Sequence, residues 1–182
     1  MKKLLLLLVC ACMAGAALAK DFTGIVADSP SAPGIALIAD GQPARIVIAA
    51  DELKGVRIAA NNLAADFERV CGTKAQIANQ LSDASGPEII VGTITSPLIK
   101  KCLTAAQLKS LKGKWEQYLI VADGNRVVIA GSDMRGAIYG IYELSEQIGV
   151  SPWYDWADVP AEQHKNLTIK TGEYTAGEPA VK

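Results

Sequence analysis

A mixed α/β fold is what this 182-residue chain predicts, drawn as a two-layer sandwich whose mixed β-sheet carries helices on one face. Three observations carry that expectation. Two Asp-Gly pairs, Asp40-Gly41 and Asp123-Gly124, each lie between β-branched runs, the signal of a hairpin whose two turn residues take positive φ. The run Ile89-Ile90-Val91 shows no alternation, as expected of a strand buried on both faces. Two segments, 51–71 and 132–149, repeat apolar residues at spacings of three and four before running into a glycine, as core-covering helices do. Hairpins, an isolated strand and two long helices argue against a doubly wound nucleotide fold.

The first nineteen residues stand apart. Lys2 and Lys3 precede the apolar run Leu4 to Ala16, and Ala17-Leu18-Ala19 supplies a small-x-small cleavage site before the polar Lys20-Asp21. That is a secretory signal peptide over 1–19, too short to span a bilayer comfortably and without a stop-transfer pattern. The chain is expected to be exported, to a periplasm or beyond, with no membrane attachment after cleavage. Losing Lys2 and Lys3 moves the formal net charge from −1 to −3, and nothing resembles a nucleic-acid footprint. Cleavage also removes Cys10 and Cys12, leaving Cys71 at a helix end and Cys102 in a short helix. Two unpaired buried thiols are the expectation, although a bridge would stabilise by about 3–4 kcal/mol on the chain-entropy estimate.

A Ser/Pro-rich leader, 20–33, comes next. Gly34 to Ala39 and Ala44 to Ala49 then form the two arms of the first expected hairpin, with Pro43 limiting pairing at its mouth. Asp51 opens the first helix. Leu53, Val56, Ala60, Leu63, Phe67 and Val70 share its inner face, Arg57, Asn61, Asn62 and Asp66 its wet face, and Gly72 ends it. A short strand around 74–77 leads to the buried strand 87–93. Ser96-Pro97 starts a short helix to Cys102, and Thr104 caps another carrying Leu108 and Leu111. Tyr118 to Ala122 and Arg126 to Ala130 are the arms of the second hairpin. The last helix starts at Ser132 or Asp133, buries Ala137, Ile138, Ile141, Leu144, Ser145 and Ile148, and carries Tyr139 and Tyr142 on its flanks. The α/β domain is thus placed at 34–156. The stretch 157–182, with one strand candidate at 166–170, is expected to be a linker toward a further domain.

Chemistry is harder to find. Gly131 to Gly136 lies at a strand-to-helix turn where anions can bind, but it lacks the endings of a P-loop or dinucleotide motif, and Asp133 would repel phosphate. A helix cap is the plainer account, with Gly136 and Gly140 allowing close packing on the sheet. His164 is the sole histidine and has no ligand or triad spacing around it, so no metal or other cofactor is expected. The pairs Asp51/Glu52 and Asp155/Asp158 fit helix charge and a loop. The unusual cluster is Trp153-Tyr154-Asp155-Trp156: aromatic faces beside a carboxylate suit sugar rings, while packing against the domain's own helix or a neighbouring domain is the plainer account.

Those residues also carry a resemblance. The segment 131–146 (GSDMRGAIYGIYELSE), followed by Ile148-Gly149-Val150-Ser151-Pro152-Trp153-Tyr154 and Trp156-Ala157-Asp158-Val159-Pro160, resembles the N-terminal domain of glycoside hydrolase family 115, the xylan α-1,2-glucuronidases. Ile58 to Ala60, Leu63 to Val70, Ile89 to Thr93 and Gly113 to Glu116 extend the likeness. A looser one reaches the small α/β domain that precedes the barrel in hexosaminidases and other α-glucuronidases. The resemblance implies that the catalytic carboxylates lie in a (β/α)8-type barrel beyond Lys182, so no catalytic residue is expected here. That barrel, and a glucuronoxylan-type polysaccharide, are the implied partners. The alternative is a free-standing carbohydrate-binding or assembly module that uses Trp153, Tyr154 and Trp156.

Overall fold

The Ile89-Ile90-Val91 run sits where its lack of alternation places it, in the strand that both halves of the sheet lean on. The computed structural model describes residues 24–29, 32–82 and 86–180, so the expected signal peptide and part of the leader lie outside it. In chain order the elements are β1 (Val26–Ala27), β2 (Ile35–Ala39), β3 (Gln42–Pro43), β4 (Arg45–Ile48), α1 (Lys54–Cys71), β5 (Ile77–Ala78) and β6 (Glu88–Thr93). Then come α2 (Pro97–Cys102), α3 (Ala105–Leu111), β7 (Tyr118–Asp123), β8 (Arg126–Gly131), α4 (Met134–Gln147), α5 (Tyr154–Ala157), β9 (Leu167–Ile169) and β10 (Gly172–Tyr174).

The larger sheet has the order β10-β7-β8-β6-β4-β5. β6 pairs in parallel with β8 on one side and β4 on the other, and every residue of it is buried. The second expected hairpin is present as the antiparallel pair β7–β8, so the sheet is mixed as predicted. Alternate side chains serve two cores. Ile46, Ile89, Val91, Ile120, Val127 and Ile129 face α1 and α4, while Val47, Ile90, Leu119, Val121, Val128 and Ala130 pack with Ile99, Leu103 and Leu111 of the α2–α3 region. The single helical face therefore describes the two long helices. The short pair α2 and α3 covers the other face, because strands that are apolar on both sides need two covers. A smaller antiparallel sheet, β1-β9-β2-β3, closes the α1 side.

The first expected hairpin is corrected by the structure. The Asp40-Gly41 turn forms with both φ values positive (49° and 75°), pairing Ala39 with Gln42 and Ile38 with Pro43. After Ala44 donates to the Leu37 carbonyl, the chain leaves β2 and enters the larger sheet as β4, parallel to β6. Ile46, Val47 and Ile48 are each at most 3% exposed, a burial that an edge hairpin could not give them. The place beside β2 goes to β9.

Both ends of the domain also extend further than the sequence suggested. Val26 and Ala27, in the expected leader, pair with β9. Within the expected linker, Leu167 and Ile169 are buried in the small sheet, and Gly172 to Tyr174 pair with β7. The ordered α/β unit therefore reaches past Tyr174. α1 starts at Lys54 behind Leu53 instead of being capped by Asp51, and Leu53 is exposed. Glu52 turns inward, where its carboxylate accepts from the Thr93 amide and hydroxyl. α1 ends as expected on Gly72, at φ 80°. Cys71 and Cys102 are free and half-buried.

Candidate functional site

Between the C-terminal half of α1, one flank of α4, the turn 150–155 and the segment 176–179 lies a cleft of about 630 Å³. It exists because α1 and α4 pack against each other and against the sheet at their inner faces, leaving the outer flanks to diverge. Two glycines set how close α4 comes. A Cβ on Gly136 would meet the Gln117 carbonyl oxygen at 2.3 Å, and one on Gly140 would meet Ile129 at 2.7 Å. The close packing expected of these glycines is what the structure has.

The start of α4 is a cap, as its sequence suggested. Asp133 takes the Gly136 amide on one oxygen (2.8 Å) and the Glu116 amide on the other (2.8 Å). Both oxygens being engaged, the turn presents a carboxylate where an anion would have to sit. Glu116 is held at φ 50°, a left-handed backbone, with its side chain buried. Its two oxygens accept from Arg135 (2.6 Å) and the Tyr139 hydroxyl (3.1 Å).

Deeper in the cleft, Asp66 pairs with Arg69 and takes the Ser145 hydroxyl at 2.7 Å. Asp66 was expected on the wet face of α1; it is 3% exposed, because Ser145 on α4 and Arg69 on its own helix give its charge two partners indoors. Tyr118 donates to Glu143 at 3.0 Å, and Glu143 also accepts from Gln147. Burial, with the Glu143 carboxylate beside it, pushes the Tyr118 phenol well above its ordinary value, so it remains a proton donor. On the rim, the Tyr142 hydroxyl accepts from Asn62 at 2.8 Å, and the Arg69 guanidinium lies 4.6 Å from the centre of the Tyr154 ring. The segment 175–178 closes one end: the Thr175 hydroxyl donates to the Tyr118 carbonyl, and Glu178 takes the Trp115 amide and pairs with Lys114.

Of the four aromatic-cluster residues, Tyr154 and Asp155 line this cleft. Trp153 and Trp156 do not; they are 64% and 88% exposed on and beside the single turn of α5. Asp66, Arg69, Glu116, Glu143 and Glu146 are cleft residues that sequence reasoning passed over. The usable signal was on α4, where Tyr139, Tyr142, Glu143 and Glu146 repeat at spacings of three and four beside the apolar face. His164 lies elsewhere, between Asp28 (3.0 Å) and Glu162 (3.4 Å). Among the described residues no group of three His, Cys, Asp or Glu side chains is placed to hold a metal ion, and no helix is long and apolar enough to cross a membrane.

Residues 38–144 match the family model described as the glycosyl hydrolase family 67 N-terminus. Among solved structures, the chain is similar to a family GH115 4-O-methyl-α-glucuronidase with specificity for decorated arabinogalactans. That match has 33% identity and a TM-score of 0.68, and covers 78% of this chain but 18% of the enzyme. Weaker likenesses are to a GH138 enzyme targeting pectin rhamnogalacturonan II (17% identity, TM-score 0.41, covering 72% of this chain and 11% of that one) and to a Streptomyces plicatus β-hexosaminidase (15%, 0.46, 83% and 24%). No curated protein sequence matches significantly. The chain thus spans under a fifth of the α-glucuronidase it matches.

Proposed function

Since the chain belongs to the family of glycosyl hydrolase family 67 N-terminal domains, we propose that it is a non-catalytic accessory domain of an exported α-glucuronidase of the glycoside hydrolase family 115 kind. It braces a catalytic barrel that carries the reacting carboxylates, and the whole enzyme removes glucuronic acid from a hemicellulose such as glucuronoxylan. The observation that carries this is the 33%-identical match to an α-glucuronidase of which the chain accounts for 18%. Export is supported by the signal-peptide pattern at 1–19.

The cleft chemistry agrees with a supporting role. A glycosidase needs two carboxyl groups free to exchange protons or attack the sugar. Here the buried Asp66 and Glu116 and the half-buried Glu143 have standing partners: Asp66 has Arg69 and Ser145, Glu116 has Arg135 and Tyr139, and Glu143 has Tyr118 and Gln147. Such pairs hold helices and loops together, and these three carboxylates are engaged in them. The test is an assay of the chain alone on glucuronic-acid-decorated xylo-oligosaccharides. No release is expected from the chain by itself, and release from a longer product that includes the following domain. Glucuronic acid freed by this chain alone would overturn the reading.

A second reading has one specific observation behind it, the exposure of Trp153 and Trp156. Exposed indoles three residues apart suit a free-standing polysaccharide-binding module. That reading requires retardation of the isolated chain in glucuronoxylan gels, weakened by Trp156→Ala. Unretarded migration removes it.

A further inference from the structure

Exposed tyrosines usually leave their hydroxyls to solvent, but those on the rim of the α1/α4 cleft do not. Tyr139 donates to Glu116 at 3.1 Å, and Tyr142 accepts from Asn62 at 2.8 Å. Their rings are nonetheless open, the residues being 41% and 45% exposed. A ring whose far end is already fixed loses little rotamer freedom when something stacks on it, so it is organised for binding in advance. On the same cleft, the carboxylates of Glu146 and Asp155 accept no hydrogen bond from another described residue. The cleft's volume, about 630 Å³, is that of an ordinary ligand site.

We propose that this cleft is a binding site for a neutral oligosaccharide, which stacks sugar faces on Tyr139 and Tyr142 and donates hydroxyl hydrogens to Glu146 and Asp155. Charge decides the class of sugar. Among the described lining residues, Asp66, Glu116, Glu143, Glu146, Asp155 and Glu178 are carboxylates and Arg69 is a cation. Asp66, Glu116 and Glu178 are paired with Arg69, Arg135 and Lys114, which leaves Glu143, Glu146 and Asp155 to set the sign. A uronate entering there meets net negative charge and a guanidinium already committed to Asp66 and the Tyr154 ring. The site therefore takes an uncharged stretch of a polysaccharide and turns away its acidic decoration. This deepens the accessory reading without depending on where the catalytic groups lie: a domain that holds a neutral stretch of the chain would leave decorated residues to another site.

The experiment titrates the chain, followed by NMR, with xylohexaose, with galactohexaose, with a glucuronic-acid-bearing xylo-oligosaccharide, and with a lysine-rich peptide. Saturable binding of a neutral hexaose is expected. Tyr139→Ala and Tyr142→Ala should each weaken it roughly fivefold or more, as loss of a stacked ring does. Tyr142→Phe keeps the ring and should retain most of the affinity. Glu146→Gln with Asp155→Asn should weaken the neutral sugar and narrow the margin by which it is preferred to the acidic one. No saturation by either neutral sugar up to roughly 10 mM, an affinity below any useful site, overturns the proposal. So does tighter binding of the acidic sugar, binding of the basic peptide alone, or loss of sugar binding in Trp156→Ala with Tyr142→Ala unaffected. The hydrolysis assay described above fails or succeeds independently of these outcomes.

Discussion

The same substitution, glycine to alanine inside a helix, should act with opposite signs at Gly136 and Gly55. Both glycines lie in the first turn of their helices, where propensity alone favours alanine by up to about 1 kcal/mol. At Gly55 in α1, an added Cβ meets the Met134 Sδ at 3.0 Å and the Ile138 Cδ1 at 3.3 Å, both far ends of flexible side chains. Met134 is 41% exposed and can swing outward, so most of the propensity gain survives. At Gly136 in α4, the Cβ lands 2.3 Å from the Gln117 carbonyl oxygen and 2.9 Å from its carbon. That neighbour is backbone at the entry to β7, and the Gln117 carbonyl is already occupied by the Ser132 amide at 2.8 Å. Relief to even the tightest tolerated contact, 3.0 Å, needs a shift of about 0.7 Å in a packed helix–sheet contact.

Overpacking of this kind costs about 1–3 kcal/mol, and a backbone clash lies at the upper end. After the propensity gain, Gly136→Ala should be about 1–2 kcal/mol less stable than wild type, and Gly55→Ala up to about 1 kcal/mol more stable. In a domain of this size that is a fall of roughly 2–8 °C in Tm against a rise of up to about 4 °C. Thermal scans and urea titrations on the two variants and wild type measure it. Equal shifts, or a stabilised Gly136→Ala, would refute the claim that α4 is pressed onto the sheet through this glycine.

Other outcomes follow from the buried polar groups. Asp66→Ala should cost about 2–3 kcal/mol in urea unfolding, since it strands the Ser145 hydroxyl and removes the Arg69 partner. Adding Ser145→Ala should then cost less than that change does alone, and strict additivity would argue against the contact. Burial alone would raise the Glu88 carboxyl, but hydrogen bonds from Arg45 and the Ser82 amide, with the charges of Arg45 and Arg126, hold it below its ordinary 4.5. A carboxyl lowered in the folded state contributes stability that is complete above the ordinary value and is lost as pH falls through the folded one. Urea midpoints measured from pH 7 to pH 3 should therefore fall less steeply for Glu88→Gln than for wild type; parallel curves would discount the pair. Alkylation of the unfolded protein beginning at Lys20, without reductant, should label both Cys71 and Cys102.

What the sequence showed and what it hid divide along one physical line. Periodicity and turn chemistry are local, so β6, the β7–β8 hairpin, the glycine that ends α1, the Asp133 cap of α4 and the Thr104 cap of α3 could be read directly. The cleft is not local. Asp66 and Ser145 stand 79 residues apart, and each was assigned by its own helix's period: the aspartate to water, the serine to the core. Either assignment alone was reasonable. Only the crossing of α1 and α4 shows that the two satisfy each other. The first hairpin failed for a related reason. Asp40-Gly41 does make its turn, but β4 is apolar on both faces, and the demand to bury both outweighs the local invitation to pair with β2.

The tail is where composition misled most. β9 falls within the strand candidate at 166–170, but strands of three residues carry too few positions for a period to show which sheet they join, and β10 gave no signal. Their effect on the fold is large all the same. β9 lies between β1 and β2, so the small sheet has no middle without it. β10 lines the outer edge of β7, and the chain just past it bonds Thr175 to the Tyr118 carbonyl and Glu178 to the Trp115 amide. Those contacts bring 176–179 across the end of the cleft that holds Glu116 and Tyr118. A stretch that reads as a connector is thus one wall of the candidate site. The aromatic cluster, which reads as the site, contributes Tyr154 and Asp155 to it and leaves both of its indoles outside.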